Sequence, residues 1–293
     1  MDSYQNRALR RPPDFMLSHL KHTAIYVAFK ERRKAIKRRL ALPQYRGTEL
    51  CCPVCNTQLR AFKPIWKSFH RNIEAHGYIY PLSSIETFNV PAYSCPACDA
   101  SDRERLYVLF LDQEFGKLDT SRRYRMVEFA PSAALRGRLK SYPFIEYRSA
   151  DLFRKTVDDR IDITDMKPYA DGSIDFFLCS HILEHVPDDR KAMRELYRIL
   201  KPGGVMLLTV PGVSSVDAGE WGDAWLWSLT PASLRRLLHG RFAASDVSVE
   251  TYGNVLTAVA FLHGFASDEL RPDEYAVVDP QYPVIVAGRA VKA

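Results

Sequence analysis

Residues 171–211 carry the clearest pattern of apolar and polar positions in the chain. A nearly continuous apolar run from Ile174 to Cys179 follows an Asp-Gly-Ser turn, which predicts a strand buried on both faces. Asp188 then predicts the start of a helix, because its side chain can accept a hydrogen bond from a free amide of the first turn. The apolar residues that share one side of this helix are Ala192, Met193, Leu196, Ile199 and Leu200. Pro202-Gly203-Gly204 predicts the end of the helix, and Val205 to Val210 predicts a second buried strand.

The order of strand, helix and strand in this stretch predicts a right-handed parallel unit of an α/β protein. Ligands of such sheets bind beyond the carboxyl ends of the strands. His181, Glu184 and His185 follow the first strand directly, so we expect them at that edge of the sheet. Either histidine can act as a general base near neutral pH; alternatively, the histidines line a pocket without accepting a proton.

Other segments have the periodicity of helices and strands. A Ser-x-x-Glu pattern that begins at Ser101 predicts a capped helix, with Leu106, Leu109, Phe110 and Phe115 facing inward. The remaining predicted elements are a strand from Tyr124, a helix to about Leu139, a strand from Phe144 to Asp151, a strand from Ala244 to Tyr252, a helix from Asn254 to His263 and a strand from Pro283 to Ala290.

Four of the six cysteines form two Cys-x-x-Cys pairs, Cys52 with Cys55 and Cys95 with Cys98. Two such pairs, with proline inside each, can present four thiolates in the tetrahedral arrangement that zinc prefers. The alternatives are a redox dithiol and plain buried cysteines. We expect a structural Zn²⁺ site, with Cys51 as a spare cysteine and an inserted hairpin between the two pairs.

Charge separates the N-terminal arm from the rest of the chain. Residues 1–46 hold 12 lysines and arginines and 3 acidic residues, a net charge of +9, so the total of +6 leaves −3 for the remainder. Residues 17–40 predict a basic amphipathic helix. Such a helix packs its apolar stripe on the protein, lies on an anionic membrane surface or binds nucleic-acid phosphates.

Composition fits a globular protein, with 46% apolar and 12% aromatic residues among 293. This length accommodates one large domain and an accessory module. No apolar run reaches the roughly 18 residues of a membrane span, and the N-terminal residues are too polar and basic for a secretory signal. We therefore expect a cytoplasmic protein, with the basic helix as a route to peripheral membrane contact.

The string DGSIDFFLCSHILEHVPDDRKAMRELYRILKPGG at residues 171–204 resembles class I S-adenosylmethionine (SAM)-dependent methyltransferases of the type 11 kind. It is most similar to a subgroup with a Cys-x-x-Cys zinc segment ahead of the catalytic domain. The resemblance implies an α/β fold with a Rossmann-like seven-stranded sheet, a zinc-ribbon-like segment and a basic helical arm. It divides the chain into an arm (1–50), a zinc-binding segment with a connecting helix (51–118) and a SAM-dependent methyltransferase domain (119–293).

The same resemblance identifies the turn after the first strand as part of the cofactor site. Glu128 is expected near the methionine amino group of SAM. Ala130, Ser132 and Ala134 occupy the three slots that usually hold glycine in this family. All three residues are small enough for close approach, but a slot that needs a positive φ is strained without glycine.

Three further strand ends are expected at the cofactor. Asp151 lies 23 positions after Glu128, close to the ~20-residue spacing at which a carboxylate meets ribose hydroxyls in nucleotide-binding α/β units. By resemblance, Asp162 approaches the adenine amino group and Ile163 packs against the adenine ring. Ser180, at the end of a later strand, completes the expected set of cofactor contacts.

The resemblance implies methyl transfer to a hydroxyl of a saccharide, a glycan or another small acceptor, with His181 and His185 as candidate catalytic residues. Arg103, Arg105 and the tryptophans at 221, 225 and 227 are candidate acceptor contacts. Alternatively, the two arginines belong to an ordinary charged first turn of a helix, and at least one of the tryptophans packs in the core. One alternative is a zinc-containing RNA methyltransferase, because cysteine knuckles and a basic arm also suit nucleic acid. The other is a catalytically degenerate binding module, because the usual glycines are missing.

Overall fold

The structure, a computed structural model, describes residues 24–65, 92–212, 225–258, 272–279 and 281–293. Helices span α1 (Ala24–Ala41), α2 (Asp102–Phe115), α3 (Ala133–Lys140), α4 (Asp189–Ile199), α5 (Pro231–His239) and α6 (Pro272–Ala276). Strands span β1 (Leu50–Cys51), β2 (Gln58–Leu59), β3 (Tyr124–Phe129), β4 (Ile145–Asp151), β5 (Asp159–Arg160), β6 (Ile174–Ser180), β7 (Leu200–Pro211), β8 (Val247–Tyr252) and β9 (Ile285–Val291). Within these ranges, no helix has both the length and the apolar character needed to cross a membrane.

Strands β3 to β9 form one seven-stranded sheet in the order β5-β4-β3-β6-β7-β9-β8. Neighbours from β5 to β7 are parallel, whereas β9 runs antiparallel to both β7 and β8. The strand order reverses beside β3, whose neighbours are β4 and β6. A ligand crevice of an α/β sheet opens at such a reversal, outside the carboxyl ends of the strands. The predicted Rossmann-like seven-stranded sheet is confirmed.

Both faces of the sheet are buried, as its apolar strands predict. Neighbouring residues of β3 point to opposite sides, so Val127 belongs to one apolar cluster and Met126 to the other. Helices α4 and α5 cover the first side, and α2 and α3 cover the second. The predicted inward residues of the α4 region are all buried: Ala192, Met193, Leu196, Ile199 and Leu200.

The predicted inward face of α2 is wrong for Leu106 and Leu109. These side chains are 44% and 51% exposed, whereas Tyr107, Val108 and Leu111 are buried. The capping box that starts the helix at Ser101 is present as predicted. The apolar face is therefore displaced by one residue, about 100° around the helix, and Tyr107 points to the sheet.

The predicted end of α4 also needs correction. The helix ends at Ile199, and the Pro202-Gly203-Gly204 segment lies within β7. Leu200 already has extended backbone angles (φ −70°, ψ 133°) and pairs with Ile174 of β6. Proline disfavours a helical conformation in the residue before it, so the chain leaves the helix ahead of Lys201.

The last two predicted strands are confirmed as the antiparallel pair β8 and β9. Three other predicted segments lie wholly or partly outside the described residues: the first part of the basic N-terminal helix, the hairpin between the cysteine pairs, and the helix at 254–263 beyond residue 258.

The segments that carry the two cysteine pairs (residues 50–65 and 92–101) form what we call the cysteine unit. Cys52, Leu59 and Cys95 are fully buried and belong to the same apolar cluster as α2 and β3. The unit thus packs on the sheet through α2. Helix α1 differs, because its described apolar side chains Phe29 and Leu40 are 65% and 77% exposed. The boundaries at residues 50 and 118 stay predictions.

Candidate functional site

Four cysteines of the unit converge on one point. The sulfurs of Cys52, Cys55, Cys95 and Cys98 all lie within 4.8 Å of one another. Cys52 and Cys98 Sγ are 3.8 Å apart, and so are Cys55 and Cys95 Sγ. Four sulfurs at ≈ 2.3 Å from a tetrahedral zinc are separated by about 3.8 Å. The donor set and its spacing therefore fit zinc, while Cys51 is exposed and lies outside the group.

Both cysteine pairs adopt the same backbone turn. The residue after each pair, Asn56 or Asp99, has a left-handed φ of 56° or 70°. Its amide donates to the carbonyl of the first cysteine, at 2.8 Å for Cys52 and 2.9 Å for Cys95. Asparagine and aspartate adopt this conformation more readily than most residues. The local sequence therefore builds two matching turns whose sulfurs face each other.

Arg105 connects the cysteine unit to α2. Its guanidinium donates to the carbonyls of Ala92, Tyr93 and Ala100 at 2.9–3.2 Å. It also lies 3.9 Å from the centre of the Phe62 ring. These contacts give Arg105 a structural role, and its contact with the acceptor stays a prediction.

Glu128 lies near the carboxyl end of β3 and is 3% exposed. Its carboxylate accepts hydrogen bonds from the Tyr147 hydroxyl at 2.5 Å and from the Ser132 amide at 3.1 Å. Burial raises the pKa of Glu128 to about 7, and the two hydrogen bonds oppose this shift only in part. The carboxyl group thus changes charge near neutral pH, beside the turn between β3 and α3.

This turn concentrates its strain at one residue. Ala130 has a φ of 49°, a region in which a Cβ atom is unfavourable. Ser132 has an ordinary φ of −95° and caps α3 by accepting from the Leu135 amide at 3.0 Å. Ala134 lies inside α3. Of the three slots that usually hold glycine, only the first has a positive φ here.

Asp151 ends β4, beside β3. Its Oδ1 accepts from the Phe153 and Arg154 amides at 2.8 and 2.9 Å, and its Oδ2 lies 3.4 Å from Arg154 Nε. The Arg154 guanidinium also donates to the Pro131 carbonyl at 2.5 Å. Arg154 therefore bridges Asp151 and the β3–α3 turn, and a ribose hydroxyl on Oδ2 would share that oxygen with it.

Asp162 and Ile163 follow β5, the next strand of the sheet. Asp162 is exposed, and its Oδ1 accepts from the Thr164 amide at 2.7 Å and hydroxyl at 2.8 Å. Ile163 is 8% exposed and packs within the apolar cluster on the α4 side. Their assignment to the adenine end of SAM stays a prediction.

Three hydroxyl groups meet between β6 and β7. Ser180 Oγ contacts the Tyr107 hydroxyl, and both lie 3.1 Å from Thr209 Oγ1. Burial raises the pKa of Tyr107, which reaches this point from α2. Sequence reasoning missed Tyr107 and Thr209. The helical spacing of Tyr107 with Val108 and Leu111, counted from the capping box, was the available signal.

His181 follows β6 with a left-handed φ of 51°, and its amide donates to the Thr209 carbonyl at 2.9 Å. Its Nδ1 lies 3.2 Å from Oε1 of Glu184. Burial lowers the pKa of His181 below its usual range, although Glu184 opposes this shift. Glu184 is 1% exposed, and apart from this contact neither oxygen has a partner among the described residues. His181 is therefore neutral near pH 7 beside a buried carboxyl group.

His185 has different surroundings. Its ring packs edge-on against Trp225, with the ring centres 5.6 Å apart. The Trp227 indole donates to the Val186 carbonyl at 2.8 Å and is partly exposed. Trp221 lies outside the described residues. The structure thus groups His181 with Glu184 and the hydroxyl cluster, and His185 with the segment after β7.

The predicted cofactor residues lie along one edge of the sheet. Glu128, Asp151 and Ser180 are near the ends of β3, β4 and β6, and Asp162 follows β5. Carboxylates suit the ammonium, ribose hydroxyl and adenine amino groups of SAM, all of which donate hydrogen bonds. Glu128 in particular is a buried carboxyl group that an ammonium partner would stabilise in its charged form. The residues present therefore fit SAM.

Part of the chain is similar to known methyltransferases. Residues 126–208 match the family described as a methyltransferase domain. A demethylmenaquinone methyltransferase of Clavibacter sepedonicus is 32% identical over 145 residues, which cover 45% of this chain and 58% of that protein. A thiol S-methyltransferase of Homo sapiens is 45% identical over 61 residues, covering 21% and 24%. An uncharacterized methyltransferase of Mycobacterium sp. (strain KMS) is 45% identical over 42 residues, so this chain spans only 17% of its length.

Among solved structures, the CMeT domain of the citrinin polyketide synthase matches this chain in part. Its TM-score is 0.46 at 15% identity, and the match covers 69% of this chain and 55% of that one. A SAM-dependent methyltransferase from Archaeoglobus fulgidus has a TM-score of 0.43 at 16% identity, covering 64% and 94%. The sequence match from β3 to β7 places a methyltransferase domain at residues 126–208, and the seven-stranded sheet agrees with the predicted class I methyltransferase fold.

Proposed function

We propose that this chain transfers a methyl group from SAM to a hydroxyl of a saccharide or another small acceptor. The row of acidic side chains at the ends of adjacent strands supports the cofactor half of this proposal: Glu128 on β3, Asp151 on β4 and Asp162 after β5. SAM, when bound, supplies an electrophilic methyl group on its sulfonium. Three fixed carboxylates would hold the donor in one orientation, and positioning alone contributes much of the rate of an in-line displacement.

His181 supports an oxygen acceptor. Its partly buried, neutral imidazole can take the proton of a hydroxyl at Nε2 while Nδ1 faces Glu184. Glu184 would then stabilise the resulting imidazolium, because a buried carboxylate favours a nearby positive charge. Tyr107 and Ser180 would orient the acceptor oxygen through hydrogen bonds.

A structural zinc ion in the cysteine unit would support this arrangement indirectly. Four thiolates cannot all be charged within 4.8 Å without a cation, and hydrogen bonding to Cys52 and the other two sulfurs raises the pKa of Cys98. Zinc would fix the unit, and α2 begins four residues after Cys98. Through α2, the metal would keep Tyr107 in the hydroxyl cluster.

We also propose that α1 contacts an anionic membrane surface. Phe29, Ile36 and Leu40 are exposed, and so are the basic side chains at positions 32, 33, 34, 37 and 39 of the same helix, whereas Arg38 is partly buried and lies 3.8 Å from Asp99. Basic and apolar side chains together favour the interface of anionic lipid. Sedimentation with vesicles of anionic lipid, but not with neutral vesicles, is the expected result, and equal sedimentation with both contradicts it.

Titration calorimetry with S-adenosylhomocysteine tests the enzyme proposal. We expect saturable binding to one site, and we expect Asp151→Ala to weaken it at least tenfold through loss of the ribose contact. Asp119→Ala, which removes an exposed aspartate between α2 and β3, is the matched control and should bind like the parent protein. Absence of both binding heat and a thermal shift would instead support a degenerate binding module. Binding of bulk RNA with a steep salt dependence would favour an RNA acceptor.

A further inference from the structure

A groove between α4 and α5 carries positive charge without acidic partners. It has a volume of about 680 Å³ and is lined by Arg190 and Arg194 of α4, by Arg236 of α5 and by Arg241, which follows α5. All four side chains are exposed, and none has a hydrogen-bond or ion-pair partner among the described residues. Asp189 is the acidic residue of its lining.

This charge is unfavourable for the isolated fold. Arg190 and Arg194 stand one helical turn apart, and like charges at that spacing destabilise a helix. Arg198, one turn further along α4, shows the contrast, because it is paired with Glu195 at 2.8 Å and Asp171 at 2.6 Å. Of the three arginines spaced one turn apart on α4, Arg198 is therefore neutralised by acidic partners, whereas Arg190 and Arg194 are available to bind an anionic ligand.

The groove also has an apolar part. Met193 and Leu229 are buried in its lining, and Leu237 is partly buried there. The partly exposed Trp227 ring lies at the same groove. A volume of this size lies within the 300–1,000 Å³ typical of small-molecule sites, and guanidinium groups bind phosphate through paired hydrogen bonds. Arginines above an apolar floor suit a phosphate group attached to a less polar body.

The groove is joined to the candidate catalytic edge. The Trp227 indole donates to the Val186 carbonyl, and the Leu226 amide donates to the Glu184 carbonyl at 2.8 Å. The segment that forms one end of the groove is therefore fixed to the loop that carries His181 and Glu184.

We propose that this groove binds the phosphate or diphosphate group of a small-molecule acceptor. The proposal rests on the proposed methyltransferase function and narrows the acceptor to a phosphate-bearing molecule. It separates two tasks on one chain: the ends of β3, β4 and β5 hold the methyl donor, and the arginines of α4 and α5 hold the acceptor.

Calorimetric titrations of the full chain with inorganic pyrophosphate and with UDP-glucose test this proposal. We expect both probes to bind, and we expect the double variant Arg194→Ala/Arg236→Ala to weaken both at least tenfold. Arg235→Ala is the matched control: it removes a neighbouring arginine of α5 that lies outside the groove lining and donates to the Val249 carbonyl at 3.4 Å. The control should stay within twofold of the parent protein.

A third titration separates the groove from the cofactor site. S-adenosylhomocysteine should bind all variants equally, and a saturating amount of it should not displace pyrophosphate. The groove proposal is overturned if the double variant binds pyrophosphate as tightly as the parent protein does. It is also overturned if S-adenosylhomocysteine abolishes pyrophosphate binding. A third outcome also overturns it: the parent protein binds a short single-stranded RNA tightly, the double variant does not, and neither pyrophosphate nor UDP-glucose binds. If only S-adenosylhomocysteine fails to bind, the methyltransferase proposal is contradicted. The dependence of pyrophosphate binding on the arginines then stands as a separate result.

Discussion

The cysteine unit and the carboxyl edge of the sheet both use left-handed turns, but they place them on different residues. In the unit, Asn56 and Asp99 have positive φ angles, which their residue types tolerate. At the carboxyl edge of the sheet, Ala130 has a positive φ angle, which is unfavourable for alanine. The unit is therefore consistent with its local sequence, whereas the edge keeps a strained residue that the surrounding sheet enforces. Strain of this kind concentrates at functional sites.

The two regions also differ in what stabilises them. The unit has strands of two residues and shares its apolar cluster with α2, so a metal would supply much of its stability. The carboxyl edge is formed by the ends of the sheet strands, of which β3 and β6 are buried on both faces. We therefore expect metal removal to affect the unit first and the edge only through α2.

The largest effect is expected from removal of the metal. Purified protein should contain about one zinc per chain, and a chelator should destabilise the unit by several kcal/mol, since structural zinc sites contribute roughly 10 kcal/mol or more. Metal analysis and thermal unfolding measure this. Cys98→Ser should lose the metal, while Cys51→Ser, a matched change outside the cluster, should keep it. Zinc-free protein that folds normally in chelator contradicts the metal site.

A smaller effect is expected at His181. His181→Asn should lower the rate of methyl transfer roughly 10²- to 10⁴-fold, the usual contribution of a general base, without changing S-adenosylhomocysteine affinity. Burial lowers the pKa of His181 and Glu184 opposes this shift, so Glu184→Gln should lower the pKa further and move the acidic limb of the rate profile to lower pH. Transfer of a labelled methyl group to an acceptor found by screening provides the assay. An unchanged rate in His181→Asn would contradict general-base catalysis by His181 and would indicate that the positioning of donor and acceptor accounts for the rate.

The third effect is the pH dependence of cofactor binding. Glu128 has a pKa of about 7 because it is buried, so it becomes protonated as the pH falls through 7. A neutral carboxyl group pairs poorly with an ammonium group, and S-adenosylhomocysteine should bind about tenfold more weakly for each pH unit below 7. Glu128→Gln should bind weakly at every pH and lose this dependence. His181→Asn should keep it, which separates the carboxyl group from the histidine.

The smallest effect is expected at Ala130. Ala130→Gly should relieve the left-handed strain and stabilise the fold by about 0.5–1 kcal/mol, after the entropy cost of glycine is subtracted. For a domain of this size the midpoint of thermal unfolding should rise by a few degrees at most. Ala134→Gly, four residues later inside α3, should lower the midpoint instead. A lower midpoint for Ala130→Gly would show that the turn is not strained.

The sequence predicted what local patterns determine. The two cysteine pairs, the capped helices and most of the strands could be recognised from residue type and spacing, and the family resemblance implied the seven-stranded sheet. The contacts of Tyr107 could not, because they depend on how α2 rotates against a sheet whose strands come much later in the chain. The contacts of Arg105 could not be predicted for a similar reason: its carbonyl partners at Ala92 and Tyr93 are brought to it by the fold of the cysteine unit.

A crystal structure of the complex with S-adenosylhomocysteine tests the central claim most directly. We expect the ligand to lie along the carboxyl edge, with its amino group near Glu128, its ribose at Asp151 and its adenine near Asp162, and with Arg154 moved from Asp151 Oδ2. A ligand bound elsewhere, such as in the arginine groove between α4 and α5, would contradict the account.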